Sequence, residues 1–187
     1  MSTYKRICVT NRKLVSGDFL QQIKKITQRG CDAVVLREKD LTEEAYAKTA
    51  VEVMKICENN RVQCILHTYA DTAVRLGADA LHLPAEKLTK LRQEQKACFR
   101  ILGASVHSAA EAELAYRAGA TYLMAGHIFE TDCKKGVSPR GLVFLHTVCA
   151  AVPIPVYAIG GITPDNAMEC MRAGAAGVSM MSAFMRT

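Results

Sequence analysis

The sequence predicts an α/β protein folded as a single (β/α)8 TIM barrel spanning residues 1–187. Three observations predict it: eight short apolar runs, helical stretches between most of them, and a glycine-led repeat. The runs are "RICVT" (6–10), "AVVLRE" (33–38), "VQCILHT" (62–68), "ALHLP" (80–84), "RILGASVH" (100–107), "YLMAGHIF" (122–129), "VYAIGG" (156–161) and "GVSMM" (177–181). Many carry β-branched residues and most are unbroken, as expected of parallel strands buried on both faces.

The helical stretches follow in order. "DFLQQIKKITQRG" (18–30) places Phe19, Leu20, Ile23 and Ile26 on one side and stops at Gly30. "TEEAYAKTAVEVMKICENN" (42–60) opens with Thr42 as N-cap and acids in its first turn. A third helix, around 71–76, has room only to be very short. "SAAEAELAYRAG" (108–119) has Ser108 as N-cap, Glu111 three residues on and Gly119 at its stop, a capping-box pattern. "TPDNAMECMRAG" (163–174) has Thr163 as N-cap, Pro164 at the first helical position and Gly174 at its end. After Met185 almost nothing remains for a last helix.

The repeat joins these pieces. "GCDAVVL" (30–36), "GADALHL" (77–83), "GATYLMA" (119–125) and "GAAGVSM" (174–180) each give a helix-stopping glycine, two small or polar residues and a strand. They lead into the second, fourth, sixth and eighth strands. Four copies of a two-step βα unit argue for a closed barrel over an open sheet.

Composition narrows the class. The chain has 187 residues, half hydrophobic and 22% charged, enough for one well-buried domain. No apolar run approaches the roughly 20 residues that cross a bilayer. Residues 1–10 contain no apolar signal core, so a cytoplasmic location is expected. The formal charge of +6 suits anionic small molecules. The basic residues are scattered, without tracts or interleaved aromatics, which argues against nucleic acid as a partner. Eight cysteines occur without C-x-x-C spacing, and most sit in apolar contexts. They read as buried free thiols.

In such barrels the chemistry lies at the C-terminal ends of the strands. This directs attention to Thr10, Arg37, Lys39, His67, His82, Ser105, His107, His127, Gly160, Gly161, Met181 and Ser182. "AIGGITPDN" is the strongest candidate. Its two glycines let backbone N–H groups approach an anion, and loops after strands seven and eight are the usual phosphate position. Met181 and Ser182 would add N–H groups; the alternative is a tight turn that needs glycine. "LREKD" (36–40) fits a salt-bridged rim or an anion holder equally well. No H-x-H, H-x-x-H or H-E-x-x-H spacing favours a metal among the four strand-end histidines. Cys133 with His127 lacks an evident third member for covalent catalysis. His127 as acid/base, with Lys134 or loop N–H groups holding an anion, is simpler.

"CVTNR", "LREKD", "GADALHLP", "GASVHS", "AGHIFETDCKKG", "AIGGITPDNA" and "GAAGVSMMSAF" together resemble, in order, motifs of thiamine phosphate synthase. The resemblance covers essentially the whole chain. It implies a (β/α)8 barrel that joins a pyrimidine diphosphate to a thiazole phosphate with Mg²⁺. The chain departs from that pattern at the metal. His67 and Thr68 stand where the synthase has Asn-Asp, and Lys87 stands at the second carboxylate, beside Glu86. His127 replaces the proline before "IF", and the P-T-x-T-K loop keeps only Thr131 and Lys134. These departures resemble the TenI-type thiazole tautomerases.

That resemblance implies an isomerase of thiamine biosynthesis, needing no cofactor or metal, that aromatises a thiazole phosphate carboxylate. His127 would move the proton, and Gly160, Gly161, Met181 and Ser182 would hold the phosphate. Thr131, Asp132, Cys133 and Lys134 would meet the carboxylate, with Lys39 assisting. The rival readings are an active thiamine phosphate synthase and a non-enzymatic TenI-type regulator that binds a thiamine intermediate. A homodimer is compatible with the sequence, and no membrane partner is expected.

Overall fold

A computed structural model describes residues 4–131 and 136–186. Eight parallel strands close into a barrel in chain order. They are β1 (Lys5–Val9), β2 (Ala33–Leu36), β3 (Gln63–His67), β4 (Ala80–Pro84), β5 (Ile101–Val106), β6 (Tyr122–Gly126), β7 (Val156–Ile159) and β8 (Gly177–Met180). Every apolar run of the sequence supplies one of them. Except for β4, the strands end one or more residues before the runs do.

Among the described residues the helices are α1 (Phe19–Gln28), α2 (Glu43–Asn59), α3 (Ala70–Arg75), α4 (Ala85–Thr89), α5 (Gln93–Ala97), α6 (Ala109–Arg117), α7 (Gly141–Ala151), α8 (Ala167–Arg172) and α9 (Ser182–Met185). The caps at Thr42 and Ser108 form as expected, accepting from the N–H groups of Ala45 and Glu111. The Glu111 carboxylate, however, reaches the His107 N–H at 2.8 Å, one residue upstream of the cap.

Thr163 is not the cap of α8. Residues 164–166 form a turn, and Asn166 organises it: Thr163 N–H donates to the Asn166 amide oxygen, and the Asn166 amide donates to Gly161 O, both at 2.9 Å. The local side-chain bond competes successfully with helix initiation. The four repeat glycines, Gly30, Gly77, Gly119 and Gly174, all follow helices and all have positive φ.

Two cores result from strand alternation. Ile7, Val9, Ala33, Val35, Ile65, Ala80, Tyr122, Met124 and Tyr157 fill the barrel interior. The alternate residues, such as Cys8, Val34, Leu36, Leu66 and Leu81, pack outward against the helices. α2 shows why its sequence is helical: Tyr46, Ala50, Val53 and Cys57 form its buried stripe. Tyr46 then ties helix to barrel. Its hydroxyl donates to Leu36 O at 2.8 Å and accepts from His67 N–H at 2.7 Å, which fixes the end of β3. No helix among the described residues is long and apolar enough to cross a membrane.

Candidate functional site

A cavity of about 1270 Å³ opens at the C-terminal ends of the strands. His127, Thr131, Gly160, Gly161, Met181, Ser182 and Lys39 all line it. Asp132, Cys133 and Lys134 lie outside the described residues.

One side of the cavity is made by backbone. Gly160 and Gly161 have φ of +100° and +67°, conformations that side chains strain to adopt. They are also closely packed. A Cβ on Gly160 would lie 2.3 Å from the His127 Cβ, and one on Gly161 would lie 2.3 Å from Glu130 O. Turn geometry and close approach therefore both require glycine here. Ile128 and Phe129 donate their N–H groups to Ile159 O and Gly160 O at 3.0 Å, which seats the segment after β6 on the glycine turn. The N–H groups of Gly160, Gly161, Met181 and Ser182 make no hydrogen bond to any described residue. They remain available to an anion. α8 and α9 have only six and four residues, so the backbone amides carry this cradle with little help from helix dipoles.

His127 begins the loop after β6 and is 4% exposed. Its Nε2 lies 3.1 Å from Val137 O. A carbonyl only accepts, so in the neutral ring Nε2 carries the proton and Nδ1 carries the lone pair. That Nδ1 is buried and has no partner among the described residues. Ser179, fully buried on β8, has a hydroxyl with no partner among the described residues and also lines the cavity. Two unsatisfied polar atoms in one cavity point to groups that a ligand would engage. Ser179 was not singled out from sequence. Its signal was the inward phase of β8, which places it one pair above Gly177.

The opposite side is made by side chains, and alternation assigns the "LREKD" residues. Val35, Arg37 and Lys39 face the cavity. Glu38 and Asp40 face the β1–α1 connection. The Thr10 hydroxyl and the Arg12 N–H donate to Glu38 at 2.7 and 3.0 Å. Asp40 pairs with Arg12 at 2.6 Å and Lys13 at 3.0 Å. These cations hold the Asp40 carboxyl far below its usual range. The segment is thus a rim through its acids, and it presents two cations to the cavity.

Beside those cations lies a polar floor. The His67 and His82 rings stack with centroids 5.6 Å apart. His82 is bonded at 2.8 Å to the Tyr122 hydroxyl through Nδ1 and to the Ser105 hydroxyl through Nε2. Burial pushes the His82 pKa down to about 3, helped by Arg37. His67 is lowered by burial first, then by His82, Arg37, Lys39 and Lys87, so both rings are neutral near pH 7. Gly103 makes room for this pair, since a Cβ there would lie 2.2 Å from the Tyr122 ring and 2.4 Å from His82 Nδ1. His107 stands at the rim beside Glu111 at 3.3 Å.

The donor set does not fit Mg²⁺, which takes carboxylate and water oxygens in octahedral array. No group of three or more His, Cys, Asp or Glu among the described residues could hold a metal. Around the ends of β2 to β4 the carboxylates are already engaged. Glu38 and Asp40 are bonded as above, Glu43 to Thr72, Asp71 to Gln95, and Glu86 to Lys90. Glu130 is the one carboxylate lining the cavity among the described residues, against Arg37, Lys39 and Arg186.

The curated relatives carry one kind of name. The chain is 32% identical to a thiamine-phosphate synthase of Clostridium acetobutylicum over 97% of its own length and 87% of the relative's. It is 33% identical to thiamine-phosphate synthase 2 of Streptococcus pneumoniae, over 95% and 86%. Its backbone superposes on thiamine phosphate pyrophosphorylase from Pyrococcus furiosus with a TM-score of 0.84 at 28% identity, covering 98% and 88% of the two chains. These relatives overturn the expectation of an isomerase, because a thiamine-phosphate synthase is a transferase. A donor set that does not fit Mg²⁺ does not specify which bond is made or broken in the substrate. A model of the family described as thiamine monophosphate synthase matches residues 7–184, and the chain belongs to that family.

Proposed function

We propose that this protein is a transferase of the thiamine-phosphate synthase type. It holds a thiazole phosphate at the glycine side of the cavity and a pyrimidine diphosphate at the basic side. A bond forms between the thiazole nitrogen and the pyrimidine methylene carbon, and the diphosphate leaves with the electron pair of the broken C–O bond. The observation that carries this reading is a single cavity with two anion-holding ends: unengaged N–H groups at Gly160, Gly161, Met181 and Ser182, and Arg37 with Lys39 opposite. The names of the relatives agree with it.

Within this reading Lys39 is a diphosphate ligand, and Thr131 borders the space between the two substrates. His127 is a hydrogen-bond acceptor for the bound ligand. Its Val137 bond fixes the tautomer, and its buried Nδ1 needs a donor that the described residues do not supply. The test is turnover. Purified protein given both substrates is expected to release thiamine phosphate and pyrophosphate in equal amounts. No product from both substrates, when each binds alone, would contradict the reading.

A further inference from the structure

The basic side of the cavity also bears on how a diphosphate is neutralised where the residues do not fit a metal. The end of β3 and the first turn of α4 come together there. His67 lines the main cavity, while its chain neighbour Thr68 and Lys87 line a separate depression of about 330 Å³. The His67 Nδ1 is bonded to the Thr68 hydroxyl, so Nε2 is the ring nitrogen open to a ligand. Stacking on His82 and the Tyr46 bond to its N–H hold that ring in place. Lys87 is exposed and makes no salt bridge to a described residue, unlike Lys90 one turn later, which is paired with Glu86. The positive charges of Arg37, Lys39 and Lys87 each disfavour a proton on the His67 ring, after burial and His82.

We infer that Lys87 and the neutral His67 replace a divalent cation, making this a metal-independent site for a diphosphate. The Thr68 hydroxyl donates to His67 Nδ1, which leaves the Nε2–H to donate to a phosphate oxygen. Lys87 supplies a mobile point charge that follows the diphosphate as it departs. A metal would do the same only if two carboxylates held it, and at these positions the chain has a hydroxyl and an ammonium.

This inference rests on the transferase reading, and binding of inorganic pyrophosphate separates the two. Calorimetric titration of the purified protein with pyrophosphate in EDTA is expected to show one site, with no gain in affinity when Mg²⁺ replaces EDTA. Lys87→Ala should weaken that binding about tenfold, as expected for losing one charge-assisted contact. Lys87→Asp should abolish binding in EDTA. The side chain is exposed, so both variants are expected to fold, and circular dichroism checks this. Pyrophosphate that binds only with Mg²⁺, or binds Lys87→Ala as tightly as the parent, would overturn the inference. Failure of turnover with pyrophosphate binding intact would instead count against the transferase reading alone.

Discussion

The two sides of the cavity offer a ligand different chemistry. The side after β6 to β8 presents backbone N–H groups on a glycine turn, with few degrees of freedom and no titratable charge in its anion-holding atoms. The side after β2 to β4 presents Arg37 and Lys39 on long side chains beside two neutral, stacked histidines, with Lys87 in a separate depression. Backbone amides fix position; flexible ammonium groups tolerate movement. A phosphate that stays with the product suits the first side. A diphosphate that must leave suits the second.

The difference can be broken one side at a time. Gly160→Ala has the largest expected effect, since its Cβ would meet His127 and its φ is +100°. Thiazole phosphate binding should be lost, with a stability cost of roughly 1–3 kcal/mol in chemical denaturation. Pyrophosphate binding should survive, and equal loss of both ligands would dissolve the distinction.

The buried histidines give the next effect. The His82 pKa is lowered from 6.5 to about 3, so below pH 6.5 the unfolded chain binds a proton that the folded chain refuses. Stability is therefore full above about pH 6.5 and falls as pH drops toward 3, with a slope near 1.4 kcal/mol per pH unit for this ring. Denaturation midpoints across this window should show a shallower slope in His82→Phe. An unchanged slope would mean that His82 is protonated in the folded state.

Arg37→Ala should weaken pyrophosphate about tenfold and leave thiazole phosphate binding within error. A titration of each ligand checks this. Tyr122→Phe is the smallest, removing one bond to His82 at a cost of about 1 kcal/mol with both ligands still bound.

What could be read from the sequence follows the same division. The strands, the repeat and the glycine turn depend on neighbours in the chain, so the place of Gly160, Gly161, Met181 and Ser182 at the cavity was legible from local pattern and fold position. The "LREKD" ambiguity resolved once alternation assigned Arg37 and Lys39 to the cavity and Glu38 and Asp40 to the rim. The floor was not legible. Tyr122 and Ser105 meet His82 from 40 and 23 residues away, and no local signal pairs them. The start of α8 was misplaced because Asn166 bonds back to Gly161 and Thr163. The reaction class was not legible for a different reason: residues at metal-binding positions bear on which ion is held, not on which bond is made, and the relatives are transferases.

The central claim is that one cavity holds two anions at once. Protein saturated with thiazole phosphate should be titrated with pyrophosphate in a calorimeter. One pyrophosphate per chain, at an affinity within about threefold of the unliganded protein, is the predicted result. Mutual exclusion of the two ligands would contradict the account.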